Sequence, residues 1–146
     1  MHHHLILRVI TKLLVGTIFL YAFYVQFHGD YSPGGGFQAG AIMAVGFIIY
    51  GVVFSLSHVQ RVFPPWLVHK LMAIGVLLYA GTGVFSLLTG FEYLDYTAIS
   101  PQHPESGQHY GILLVEAGVG ITVTAVLVAV YYAFAARTPL ISDEEW

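Results

Sequence analysis

HGDYSPGGGFQAG, residues 28–40, lies between two long apolar segments of the chain. The Ser-Pro pair is typical of a turn, and Pro33 both stiffens that turn and lacks an N–H group. Three consecutive glycines follow Pro33, and glycine adopts positive φ angles at little cost. A helix that begins at about Phe37 would expose its first N–H groups to this turn. The stretch therefore predicts a hairpin between two helices.

The composition of the chain indicates that lipid is its solvent. Of its 146 residues, 57% are hydrophobic and 9% are charged, whereas a soluble domain carries about 25% charged residues. The absence of cysteine excludes disulfides, thiol catalysis and thiolate metal sites. Five Lys and Arg residues are too few for a nucleic-acid-binding surface, so no nucleic-acid partner is expected.

Four stretches of the sequence are apolar over the roughly 20 residues that a membrane-spanning helix needs. They cover about residues 5–27, 37–56, 67–88 and 111–133. The first is not a signal peptide, because it ends in the hairpin stretch and not in a small-residue cleavage site. The prediction is an all-α integral membrane protein, in which residues 1–146 form a single four-helix domain.

The positive charges of the chain predict its orientation in the membrane. All of them flank one side of the predicted helices, at Arg8, Lys12, Arg61, Lys70 and Arg137. The two loops on the other side, about 28–36 and 89–110, contain acids but no Lys or Arg. By the positive-inside rule, both termini face the cytoplasm and these two loops face outward.

Small residues predict where the helices pack closely. Gly36, Gly40 and Ala44 recur every four residues along the second helix, and such stripes let helix backbones approach each other in lipid. Gly81 and Gly83 lie in the third helix, and the fourth helix carries glycine at 111, 118 and 120. A bundle with so little mass outside the membrane is expected to be covered by partner proteins.

The hairpin allows two interpretations. A tight turn between two helices needs only one or two glycines, whereas three in a row suggest that another backbone approaches closely. The N–H groups at the start of the second helix would hold an acidic side chain or a carbonyl from another protein chain. On the second interpretation, subunit docking falls on Pro33, Gly34, Gly35, Gly36, Phe37 and Gly40. A nucleotide loop is excluded, because no strand precedes the glycines and no lysine follows them.

Glu116 is the one acid inside a predicted span. It lies about 7.5 Å into the fourth helix if that helix begins near Gly111, and an ionisable group at that depth normally faces protein or water. Glu116 is either a carboxylate that binds protons or cations, or a structural acid that is hydrogen-bonded to a neighbouring helix or reaches the outer headgroups. The two alternatives stay equally open.

Three further residues are candidates for an ion pathway. Lys70 at the start of the third helix is more often a membrane-interface anchor than a proton carrier. His69 beside it and His28 in the hairpin titrate near neutral pH, so a part in proton exchange is open to them. The histidines lie at the helix ends and show no metal-binding spacing, so neither a metal site nor a haem or other cofactor is expected.

The hairpin and the first helix resemble the B-type subunit of the bacterial Mrp-type (Mnh-type) multisubunit Na+/H+ antiporters, which are related to the membrane arm of respiratory complex I. The resemblance is carried by LILRVITK at residues 5–12, by His-Gly at residues 28–29 and by PGGGF at residues 33–37. It extends over essentially the whole chain. The resemblance departs at His2–His4, where the family has an acidic or amide residue. This departure affects only the N-terminal boundary of the resemblance.

The resemblance implies a subunit of a bacterial plasma-membrane complex that uses the proton-motive force to expel Na+. Its partners would be the A, C, D, E, F and G type subunits. The chain would be required for transport without catalytic chemistry of its own, and would help to build or seal the ion path. Two alternatives remain open: a homologous subunit of a complex I-related hydrogenase, and a free-standing transporter that works as a homodimer.

Overall fold

The structure, a computed structural model, describes residues 3–29 and 34–137. Five α-helices occupy most of these ranges: α1 (His3–Phe27), α2 (Gly36–Phe54), α3 (Leu56–Val62), α4 (Pro65–Leu88) and α5 (Pro104–Ala135). A short 3-10 helix covers Tyr96–Ile99. The four helices α1, α2, α4 and α5 are long and apolar enough to cross a membrane. The predicted all-helical fold with four membrane-spanning segments is confirmed for the described residues.

The helix α5 begins at Pro104, seven residues before the predicted start at Gly111. Proline suits the first turn of a helix, since the N–H group that it lacks has no partner there. The 3-10 helix packs on this added part: a Cβ atom at Gly107 would lie 2.8 Å from the Tyr96 carbonyl oxygen, and one at Gly111 would overlap the Tyr96 ring. The added residues are mostly polar, so the apolar part of α5 still begins near Gly111.

The connection between the second and third spans contains a helix, α3, that is absent from the sequence-based prediction. The helix α2 ends at Phe54 and not at 56, because Ser55 adopts a positive φ of 95°. The Ser55 hydroxyl oxygen lies 3.0 Å from Ser57 Oγ and 2.9 Å from His58 Nδ1. These contacts stabilise the sharp change of direction between α2 and α3.

The spanning helices pack in the spatial order α1, α2, α5, α4. The helices α2 and α5 run in the same direction, since Gly36 meets Glu116, Gly40 meets Gly120 and Gly51 meets Tyr131. The helix α1 is the most exposed of the four. Of an apolar stretch of 18 residues in each helix, 11% is buried inside the chain in α1, compared with 28% in α2 and in α5. The bundle therefore leaves most of the α1 surface open to lipid or to another protein.

A hydrophobic core fills the end of the bundle that lies away from the hairpin. Its buried residues come from α2, α3, α4, α5 and the short α3–α4 link: Ala44, Val59, Phe63, Val68, Ala125, Val128 and Tyr132. The ring of Phe63 stacks on Phe47 with a centroid distance of 4.4 Å. The Tyr132 hydroxyl donates a buried hydrogen bond of 2.6 Å to the Phe63 carbonyl oxygen. This bond fixes the α3–α4 link to α5.

We expect Tyr132→Phe to lower the free energy of unfolding by about 2 kcal/mol, because the buried Phe63 carbonyl loses its hydrogen bond while the ring stays in place. Thermal unfolding of the detergent-purified protein measures the effect. Tyr110→Phe is the control, since Tyr110 is 58% exposed. Equal stability of the two variants would contradict the role assigned to this hydrogen bond.

Candidate site at the glycine hairpin

The glycine stripe of α2 packs against α5 of the same chain. A Cβ atom at Gly36 would overlap the Glu116 carbonyl oxygen, and one at Gly40 would lie 2.6 Å from the Gly120 carbonyl oxygen. Thr124 joins the two helices, because its hydroxyl lies 3.1 Å from the Gly40 carbonyl oxygen and 2.8 Å from that of Gly120. Helix backbones come this close in lipid only where side chains are absent.

The Glu116 side chain lies beneath the hairpin. A Cβ atom at Gly29 would lie 2.6 Å from Glu116 Oε2, and one at Gly35 would lie 3.1 Å from Glu116 Oε1. Gly35 caps the N-terminus of α2 with a φ of 132°, which a side-chain-bearing residue rarely adopts. The first N–H groups of α2 have no acceptor within the helix, and the positive end of the helix dipole stabilises a negative charge. The structure thus places a carboxylate of the same chain at the start of α2.

The two histidines and the lysine proposed for an ion pathway lie at opposite ends of the bundle. His28 is exposed beside the hairpin and stacks on Tyr24 with a centroid distance of 4.2 Å. His69 Nδ1 lies 2.7 Å from the Pro65 carbonyl oxygen, and Lys70 Nζ lies 4.9 Å from the centre of the Trp66 ring. The structure brings Glu116 together with the hairpin next to His28, and it does not bring Glu116 together with His69 or Lys70.

The residues predicted to dock another protein chain fall into three groups. Pro33 lies outside the described residues. Gly35, Gly36 and Gly40 are buried against the chain itself, whereas Gly34 is partly exposed. Phe37 is 63% exposed at the start of α2. Among the described residues of this set, Phe37 and Gly34 are the ones open to a partner.

Gln26, one residue before the end of α1, is not among the residues predicted from the sequence. A Cβ atom at Gly120 would lie 2.5 Å from Gln26 Oε1, so the amide points from α1 towards α5. A polar residue in the last turn of an apolar span is a signal that could have found it. Gly81, in contrast, was predicted from the sequence as a site of close packing, but no described atom lies within 4 Å of a Cβ atom built there.

These features define a class of protein: a small helical membrane protein with four spanning segments, whose hairpin and central helices pack through glycine around one carboxylate. A family model described as a domain related to the MnhB subunit of Na+/H+ antiporter matches residues 6–129. The chain belongs to this family of Na+/H+ antiporter subunits.

Similar curated proteins from staphylococci carry the name antiporter subunit mnhB2. The one from Staphylococcus haemolyticus (strain JCSC1435) is 32% identical over 130 residues, which are 88% of this chain and 92% of the relative. The one from Staphylococcus aureus (strain Newman) is 33% identical over 127 residues, which are 86% of this chain and 89% of the relative. The similarity therefore covers nearly the full length of both chains.

Proposed function

We propose that the chain is an obligate membrane subunit of a multisubunit antiporter that uses the proton-motive force to expel Na+. The observation that carries the proposal beyond family membership is the Glu116 carboxylate beneath Gly29 and Gly35. An acid inside a spanning helix is unfavourable by a few kcal/mol unless it faces protein or water. Here the start of α2 stabilises it close to one membrane surface, where Na+ and H+ have access.

The test of this proposal compares the whole complex with its parts. Proteoliposomes that contain the complete complex should exchange Na+ for H+, and a complex purified without this chain should not. The chain reconstituted alone should not exchange ions. Exchange by the chain alone would favour a free-standing homodimeric transporter and would contradict the proposal. Co-purification of hydrogenase subunits would favour the related hydrogenase complex.

The orientation that we propose places the hairpin outside a bacterial plasma membrane and both termini in the cytoplasm. Basic residues at one end of the bundle support it: Arg8 Cζ and Lys12 Nζ lie 5.8 and 5.6 Å from the centre of the Phe54 ring. Arg61 and Lys70 are at this same end, in α3 and at the start of α4. Positive side chains collect on the cytoplasmic side of membrane proteins.

The partners that we propose are the other antiporter subunits, of the A, C, D, E, F and G types. The exposed surface of α1 supports this proposal, because leucine, isoleucine and aromatic side chains cover it from Leu5 to Phe27. Phe37, at the start of α2 beside the hairpin, is also exposed. A complex that covers these side chains with complementary partner surfaces gains packing contacts that lipid supplies less well.

We expect Phe37→Ala to lower the amount of co-purifying subunits by about tenfold, because an aromatic side chain that a partner buries contributes about 2 kcal/mol or more to an interface. Phe134→Ala is the control, since Phe134 is 73% exposed and lies at the C-terminal end of α5, away from the hairpin. The measurement is the ratio of each partner protein to this chain after affinity purification. Equal ratios for the two variants would remove Phe37 from the docking surface.

A further inference from the structure

Two basic side chains of α1, Arg8 and Lys12, converge on one aromatic ring at the end of α2. Both are exposed and lie about one helical turn apart. Arg8 Cζ and Lys12 Nζ lie 5.8 and 5.6 Å from the centre of the Phe54 ring. Like charges four residues apart on a helix repel each other, and the repulsion grows where lipid lowers the dielectric constant.

No carboxylate neutralises this pair within residues 3–29 and 34–137. The acids of these ranges lie on the hairpin side of the bundle, away from Arg8: Glu92, Asp95, Glu105 and Glu116. The face of the Phe54 ring attracts cations, but this attraction is weak at an exposed site and does not cancel two full charges. The pair therefore offers a binding site for an anion.

The depth of the pair in the membrane indicates which anion reaches it. The apolar span of α1 begins at Leu5, so Arg8 and Lys12 lie about 4.5 and 10.5 Å into it at 1.5 Å per residue. Side chains on a helix tilt towards its N-terminus, which brings both charged groups back towards the interface at that end. Phospholipid phosphates lie at this interface, whereas an acidic side chain of another protein would have to be carried there by a helix in which its charge is unfavourable.

We propose that Arg8 and Lys12 bind the phosphate of an anionic phospholipid from the leaflet at the Arg8 end of the bundle. The Arg8 guanidinium donates parallel hydrogen bonds to the phosphate oxygens, and the Lys12 ammonium adds a second positive charge. A headgroup with a net negative charge binds better than a choline headgroup, because choline brings a further cation beside the pair. Basic groups between helices bind anionic headgroups in this way. This inference does not depend on the ion that the complex transports.

The test uses the purified complex in phosphatidylcholine vesicles with a small share of phosphatidylglycerol. The phosphatidylglycerol carries a photoreactive diazirine next to the ester of one acyl chain, and in a parallel sample an equal amount of phosphatidylcholine carries it. After illumination, mass spectrometry measures the label on Phe54 relative to Val62, which is exposed at the same end of the bundle. We expect a ratio about fivefold higher for phosphatidylglycerol, as one added charge near a basic residue predicts. Equal ratios for the two lipids would overturn the proposal.

Substitutions at Lys12 test whether this pair forms the site. Lys12→Gln removes one charge and should lower the ratio for phosphatidylglycerol by about fivefold, whereas Lys12→Arg keeps the charge and should keep the ratio. Lys70→Gln is the matched control, since Lys70 lies over Trp66 on α4 and its loss removes the same charge elsewhere at this end. An unchanged ratio in Lys12→Gln, or an equal fall in Lys70→Gln, would overturn the assigned site.

The C-terminal segment of the chain is a competing source of negative charge. Asp143, Glu144 and Glu145 follow Arg137 in the sequence and lie outside the described residues. Replacing all three acids by their amides should leave the label on Phe54 unchanged. A several-fold increase in that label would show that these acids compete for Arg8 and Lys12, and would overturn the lipid site.

Discussion

Replacing Gly36 by alanine is expected to prevent the chain from forming a stable bundle and from joining a complex. The added methyl group would overlap the Glu116 backbone carbonyl oxygen, and a helix backbone cannot rotate away as a side chain can. The helices α2 and α5 must then separate, at a cost of about 3 kcal/mol or more. The yield of folded protein in detergent and the amount of co-purifying subunits measure this effect.

Gly16→Ala is the matched control for this prediction. Gly16 also lies inside a spanning helix, but no described atom lies within 4 Å of a Cβ atom built there. Alanine favours helix formation over glycine by about 1 kcal/mol, so this variant should be at least as stable as the unmodified protein. Similar yields for the two alanine variants would show that the contact between α2 and α5 is looser than the structure has it.

Replacing Glu116 by glutamine is expected to lower Na+/H+ exchange by about tenfold or more, while the complex still assembles. The amide has the shape of the carboxylate and keeps one oxygen that can accept hydrogen bonds. It carries no charge and does not titrate, so it neither binds a cation by charge nor takes up a proton. Exchange assays on proteoliposomes with equal amounts of complex measure the effect.

Glu105→Gln is the matched control for this second prediction. Glu105 is an exposed acid in the first turn of the same helix, so its replacement removes the same charge outside the hairpin. We expect exchange close to that of the unmodified complex. If Glu116→Gln assembled and transported as well as Glu105→Gln, Glu116 would be a structural acid. If Glu116→Gln failed to assemble, its contact with α2 would matter more for folding than for transport.

The membrane-spanning segments follow from local properties that can be read along the chain. A stretch of about 20 apolar residues with few charges is long enough to cross a bilayer wherever it occurs, and this property located α1, α2 and α4 to within about two residues. The helix boundaries in the structure differ from the predicted ones where a single residue determines them. Ser55 ends α2 through its positive φ, and Pro104 begins α5 in a polar stretch that hydropathy alone does not assign to a helix.

The amino-acid sequence alone predicts three features. These are the number of spans, the hairpin between the first two spans and the unusual position of Glu116 inside the last span. Tertiary packing adds that Glu116 lies beneath Gly29 and Gly35, and that α5 of the same chain fills the glycine stripe of α2. The reason is that these helices are apolar on nearly all sides, so hydropathy contains little information about which face meets which neighbour. The order of the helices and their rotation about their axes depend on backbone contacts between residues about 80 positions apart, such as that of Gly36 with Glu116.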